Sequence, residues 1–560
     1  MKNLIFSVVL TVNFCFAQTN YYVATTGNNS NSGTLASPWK TIQYSVNQMP
    51  ANSILNVISG IYIEKIYLPS NITIKNYTST LPIIDGTGII TQNAILAINN
   101  KSNITIDGVE FRNNIQNDAQ GILIDGSGSN ITIKNCKIHD IHFSSNVTAA
   151  VNANTNAQGI IVFGTNASTA ITNLKIQNNE LYNCRLGYSE GIAVNGNVSG
   201  FEVIGNNVHN LTNIGIVLIG HEGTCPNPAN DQARNGLVKN NSVYYCVSTY
   251  ATSGGIYIDG GKIITAENNT CNHNGYGIEV GCEKIGSTAD AIIIRNNLLY
   301  DNEISGVALG GFAYPAGSGK VTNSSIRNNT CYFNDYSNSG NGELYLSYSE
   351  NSIIENNIFY TTMQNVLAFA ELTQPTLNFN YNTIYCAAGA TSLLSNWNGT
   401  SYANYTAFKN GTATNTNSIF GNPQLTTASI TSPDFHILTT SPSKNAGNPA
   451  YIVATSETDF YNELRIEEAI IDCGADEFGN TLGVAENKKN GFNIYPNPTS
   501  NFITIDTELP IKKCEILSLN GQKILENSSN KIDLSALNSG MYIIKIEIDN
   551  KIYFNKIIKN

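Results

Sequence analysis

The sequence predicts an all-β chain: a right-handed parallel β-helix (a solenoid) opened by a capping helix and followed by a small C-terminal β-sandwich. Three observations carry this reading. Asn-Asn pairs recur at 178–179, 206–207, 240–241, 268–269, 296–297, 328–329 and 356–357, at spacings of 28, 34, 28, 28, 32 and 28 residues. Strand-like runs such as AIIIR (291–295) and SIIE (352–355) precede the pairs, and a second run opens with Gly at 121, 159, 191, 215, 255, 277 and 306. Only 13% of residues are charged, which suits strands joined by Asn- and Gly-rich turns better than charged helices.

A run with alternating apolar residues buries one face. A strand–turn–strand unit of this period cannot bury that face alone, so the units must stack. Stacked rungs lie ~4.8 Å apart, and Asn residues in register can then hydrogen-bond along the stack.

The elements follow in chain order. MKNLIFSVVLTVNFCFA (1–17) combines Lys2, an apolar run from Leu4 to Val12 and a small residue at Ala17, the pattern of a secretory signal peptide. No other apolar run reaches the ~20 residues of a membrane span. The β-helix is expected over 18–478. Its front cover is SPWKTIQYSVNQM (37–49), with Ser37 as N-cap, Pro38 at the first helical position, and Ile42, Val46 and Met49 on one face. The repeat fades after about residue 390, and SPDFHILTTSPSKNAG (432–447) and IIDCGADEF (470–478) are expected to close the far end. Residues 479–491 read as a linker. Residues 492–560 alternate like sandwich strands, with a hairpin signal at Asn520-Gly521.

The net charge of −11 without a basic stripe argues against a nucleic-acid partner. Ten cysteines follow the signal peptide. Cys271 and Cys331 share their repeat phase with Leu299, so they read as buried core thiols, and no CxxC pair suggests zinc.

Candidate chemistry lies on the Gly-led strand. Counting from its Gly, positions one and three point inward, and positions two and four face solvent. Position two runs Leu123, Ile161, Ala193, Val217, Tyr257, Glu279 and Ala308. Position four runs Asp125, Phe163, Asn195, Ile219, Asp259, Gly281 and Gly310. Stacking therefore brings Asp259, Glu279 and Glu283 within one or two rungs, with the Asp259 and Glu279 Cα atoms roughly 8 Å apart. His221 and Glu222 open a long insertion (221–236) that should wall a cleft. Arg234, Lys262 and Lys284 are the nearby cations, and Tyr257 a candidate sugar-stacking ring. Like charges on adjoining rungs raise each other's pKa and point to a cation, a substrate proton or neighbouring basic groups.

Two resemblances add to this. YPNP (495–498), LNGQ (519–522), the LSALNSGMY run (534–542) and the basic KIIKN terminus resemble the type A C-terminal sorting domain of the type IX secretion system of Bacteroidota. That resemblance implies passage through the periplasm and outer membrane, handled by the secretion machinery through 492–560, to a secreted or cell-surface location. YYVATTGN, SPWKTIQ and SGIYIE (within 21–64) are similar to the opening of β-helix polysaccharide lyases, especially pectate-lyase-like family 9. That family uses an acidic calcium site and a Lys base. Its Asp-rich calcium motif is not intact here, so no role carries over residue by residue.

The leading expectation is a secreted, monomeric lyase acting on a uronate-containing polysaccharide. In it Asp259, Glu279 and Glu283 hold Ca²⁺, and Lys262 or Arg234 takes the C5 proton. His221, Glu222, Tyr257 and Lys284 would bind substrate. The alternatives are a hydrolase using Asp259 and Glu279 as paired carboxylates, and a non-catalytic glycan-binding surface protein.

Overall fold

Alternating apolar residues become three long parallel sheets in the computed structural model, which describes residues 18–479 and 492–559 apart from 312, 362–363, 371, 373, 413–414, 498, 508–509, 519–521 and 549–550. The expected signal peptide, most of the linker and the Asn520-Gly521 turn lie outside the described residues. The chain divides into two compact units, 1–479 and 480–560.

Each coil of the first unit visits the sheets in turn. One coil runs through Lys262–Glu267 in the first sheet, Thr270–Asn272 in the second and Tyr276–Gly281 in the third. Inward Ile, Val and Leu side chains from all three fill one continuous core. Cys271 lies in register between Val243 and Leu299, and Leu299 is followed by Cys331. All ten cysteines of the described residues are buried and free.

The two members of an Asn-Asn pair do different work at the corner between the first and second sheets. The first takes the left-handed conformation that turns the chain, with φ between 53° and 61° at Asn178, Asn240, Asn268, Asn296, Asn328 and Asn356. The second joins a buried ladder in which the Nδ2 of one rung donates to the Oδ1 of the next at 2.9–3.0 Å, through Asn179, Asn206, Asn241, Asn269, Asn297, Asn329, Asn357 and Asn382. At 206–207 the first Asn is the ladder member, because Gly205 takes the turn.

The recurrent Gly of the third sheet answers to close approach. A Cβ on Gly121, Gly159, Gly191, Gly215, Gly255 or Gly277 would stand 2.4–2.9 Å from the carbonyl oxygen of the Gly one rung on. Only a residue without a side chain lets these strands stack at this point.

At the front, helix α1 spans Ile42–Gln48, later than the expected start at Ser37. Thr41 holds the N-cap position without a side-chain bond, and the carboxylate of Glu64 accepts the Ile42 and Gln43 N–H groups at 2.9 Å each. A distant acid thus replaces the expected Ser37 cap. Ile42, Val46 and Met49 are buried as expected.

The far end is covered by helix α2 (Tyr405–Gly411), whose Phe408 packs on Phe379 and Trp397. The segments expected to close that end instead fold back along the flank of the β-helix. Asn268 Nδ2 donates to Asp459 O, Asn328 Nδ2 to Asp472 O, and the Gly474 N–H to Asn356 O. The strap carries the fully buried Arg465, which reaches Asn296 Oδ1 and Glu477 Oε2 at 3.2 and 3.0 Å.

The second unit has a three-stranded and a four-stranded antiparallel sheet. They enclose Ile503, Ile505, Ile516, Ile544, Ile546 and Ile557. This is the sandwich expected from the alternation.

Candidate active site

The outer face of the third sheet holds a cavity of about 610 Å³. Its floor is built from the solvent-facing positions of successive rungs: Ile161, Val217 and Tyr257 at position two, and Phe163, Asn195 and Ile219 at position four. These stack in the order the sequence gives: Ile161 pairs with Ala193, Ala193 with Val217, Val217 with Tyr257, and Tyr257 with Glu279. One wall comes from loops that enter the third sheet, with Tyr188, Ser189, Glu190 and Thr252. The opposite wall comes from loops that leave it, with Glu222 and Glu283.

Acids gather at the far end. Asp259 is 5% exposed and its Oδ1 accepts the Glu283 backbone N–H at 2.8 Å. Tyr257 Oη lies 3.5 Å from Glu283 Oε1. Burial, followed by the charge of Glu283, holds the Asp259 carboxyl well above the usual carboxylate range, with Glu222 and Glu279 adding to the effect. Burial and then Glu283 push both Glu190 and Glu279 up to about 8. Glu283 itself is raised by the protein packed round its carboxyl and then by Glu222.

The sequence-derived candidates separate into two groups. Asp259, Glu283, Glu222 and Tyr257 line the cavity. Glu279 stands one rung beyond Tyr257 and does not line it.

The basic residues go elsewhere. The chain turns at Gly260, φ 64°, into the first sheet, so Lys262 stacks between Arg234 and Asp290, with its Nζ 3.9 Å from Asp290 Oδ2. Arg234 opens a first-sheet strand rather than sitting in the insertion, and donates to Asn197 Oδ1 at 2.8 Å and Gln232 O at 3.0 Å. His221 Nε2 is 3.3 Å from Thr288 O, and Lys284 is exposed outside the cavity. No Lys, Arg or His is among the described residues that line the cavity.

The expected calcium ligands do not form a ready-made donor set. Among the described residues no three His, Cys, Asp or Glu side chains converge at metal-binding spacing.

Glu190 and Asp118 are acids of the lining that sequence reasoning missed. For Glu190 the signal was there, because it immediately precedes Gly191 as Gln120 and Gln158 precede Gly121 and Gly159. That position turns towards the cavity on each of these coils.

The family comparisons agree with this architecture. Residues 230–423 match the family model for a right-handed β-helix region, and residues 493–560 the model for a secretion system C-terminal sorting domain. Similar solved structures include pectate lyase Pel9A (14% identity, covering 82% of this chain and 97% of that one, TM-score 0.43). XylC in complex with xylose is similar at 11% identity (66% and 84%, TM-score 0.44). The GH136 lacto-N-biosidase from Eubacterium ramulus is similar at 16% identity (64% and 65%, TM-score 0.38). Among curated proteins, the uncharacterized protein YwoF of Bacillus subtilis (strain 168) is 32% identical over 423 residues, 72% of this chain and 87% of that protein. The chain therefore belongs to the same family as YwoF, and is a right-handed parallel β-helix protein that carries its own secretion-system sorting domain.

Proposed function

We propose that this is an exported glycan-cleaving enzyme that breaks a glycosidic bond by carboxylate acid–base chemistry in the cavity of the third sheet. The observation that carries the reading is the cavity's composition: Glu190, Glu222, Asp259 and Glu283 line it and no basic side chain does. A general acid for glycoside cleavage must hold its proton at neutral pH while a second carboxylate is ionised. Burial raises Asp259 and Glu190 towards the protonated form, and Glu283, on the more exposed side of the cluster, takes the part of the ionised partner. Asp259 donates its proton to the leaving oxygen, and Glu283 acts as base or nucleophile. Asp259 is fixed for this role by the Glu283 N–H. The sorting domain directs export; none of the described helices is long and apolar enough to cross a membrane.

A cation-assisted lyase is the second reading, favoured by the surplus of like charge in the lining, which a divalent cation beside Asp259 and Glu283 would relieve. Incubating the mature protein with a panel of neutral and acidic polysaccharides separates the two. The acid–base reading expects new reducing ends without near-ultraviolet absorbance and no loss on chelation. Products that absorb in the near ultraviolet and vanish with a chelator would establish the lyase instead. Binding without product would leave a glycan-binding surface protein.

A further inference from the structure

The same cavity is also lined by four amides whose oxygens accept no hydrogen bond from the protein. Gln120 Oε1, Gln158 Oε1, Asn195 Oδ1 and Asn213 Oδ1 are all buried and unpartnered. The four residues are 8%, 9%, 8% and 3% exposed. All four line this one cavity. Buried acceptors left without donors are costly and uncommon, and four converging on one space mark where donors are brought from outside.

Two of the amides are locked in orientation. Gln158 Nε2 donates to Ser189 Oγ at 2.9 Å, and Ser189 Oγ donates in turn to Asn156 Oδ1 at 3.0 Å. Asn213 Nδ2 donates to Gly187 O at 3.2 Å. With the nitrogens committed, the oxygens are the atoms left without a partner.

The four sit on four successive coils of the third sheet. At ~4.8 Å per rung they are spread over roughly 14 Å up the stack, and across the strands as well, because Gln120, Gln158 and Asn213 precede the recurrent Gly while Asn195 stands four residues beyond it. That is too far apart for one ion, whose oxygen ligands stand within ~2.6 Å of it. It suits an extended ligand with hydroxyl donors along its length. The apolar strip of Ile161, Phe163 and Val217 beneath them suits the faces of sugar rings. The charged groups in the lining, Asp118 included, are all carboxylates, so a polyanion would find no counter-charge.

We propose that Gln120, Gln158, Asn195 and Asn213 form subsites for an uncharged, hydroxyl-rich oligosaccharide, which lies across successive rungs and delivers its scissile bond to Asp259 and Glu283. This rests on the reading of the acid cluster as the cleavage site, and sets the substrate class as neutral glycan rather than uronate.

The test is calorimetric titration of the Asp259→Asn protein with cello-, xylo-, manno- and galacto-hexaoses, with hexagalacturonate and with calcium chloride alone. At least one neutral series is expected to bind. The double variant Gln158→Leu/Asn195→Leu is expected to weaken that binding tenfold or more at unchanged circular dichroism. Position 195 tolerates an apolar side chain because Phe163 and Ile219 occupy the same stack. The proposal is overturned if hexagalacturonate binds more tightly than every neutral hexaose, if no neutral hexaose binds, or if only calcium gives heat. An unchanged affinity in the double variant overturns it too. Failure of the two readings is distinguishable. Amide-dependent binding by a native protein that cleaves nothing removes the cleavage site alone. Cleavage of a neutral polymer with unchanged KM in the double variant removes the subsites alone.

Discussion

The Glu283 backbone N–H donates to Asp259 Oδ1 at 2.8 Å, so the acid of one coil is aimed by the backbone of the next. Asp259→Asn keeps an acceptor for that N–H while removing the proton. Turnover should fall about 10²- to 10⁴-fold, the usual span for losing a general acid, with the melting temperature unchanged or raised. Asp259→Ala should also lose activity, but leaves the N–H unpaired at a cost of about 1–3 kcal/mol. Reducing-end assays with thermal melts on both variants check this.

Glu190 gives the pH dependence its sign. Its folded pKa is raised to about 8 by burial and by Glu283, against about 4.3 in an unfolded chain. Its protonated form therefore favours the folded state. That contribution is fully present below the unfolded value and is lost as pH rises towards 8. Glu279, also raised to about 8, acts in the same direction. Glu190→Gln should flatten the fall in melting temperature between about pH 4.5 and 8, and melts across that range measure it.

The Asn ladder should carry more stability than its surface counterpart. Asn269 accepts from Asn241 Nδ2 and N, and donates to Asn297 Oδ1 and Val238 O, all within 3.0 Å and buried. Asn269→Ala strands several of these groups and should cost about 3–5 kcal/mol. Asn130 bonds Asn103 and Asn173 in an exposed ladder and has φ 57°. Asn130→Gly should therefore change stability by less than about 1 kcal/mol. Denaturant titration of the pair separates the two ladders.

The strap along the flank depends on Arg465. Replacing it with Met leaves Glu477 and neighbouring Asp472 buried without their cation. Such a loss costs about 3–5 kcal/mol. Limited proteolysis should then cut first within 440–478, with the rest of the β-helix still protected.

Much of this was legible in the sequence because stacking is a local rule repeated. The order Leu123, Ile161, Ala193, Val217, Tyr257, Glu279 and Ala308 is the observed register, so the closeness of Asp259 to Glu283 could be read directly. Lys262 could not be placed. It follows Asp259 by three residues, but the corner at Gly260 and Gly261 sends it to another sheet. The cap on α1 and the strap were equally hidden, because Glu64 and Arg465 act on residues far away in the chain. Glu190 and the four amides share a cavity only because separate coils present them to one face.

Acid–base hydrolysis of a glycosidic bond between Asp259 and Glu283 leaves a signature in the products formed in heavy-oxygen water, which mass spectrometry reads. One heavy oxygen per cleavage, at the new reducing end and not at the departing hydroxyl, lost together with activity in Asp259→Asn, is the expected result. Unsaturated products that lack a water and carry no label would contradict it.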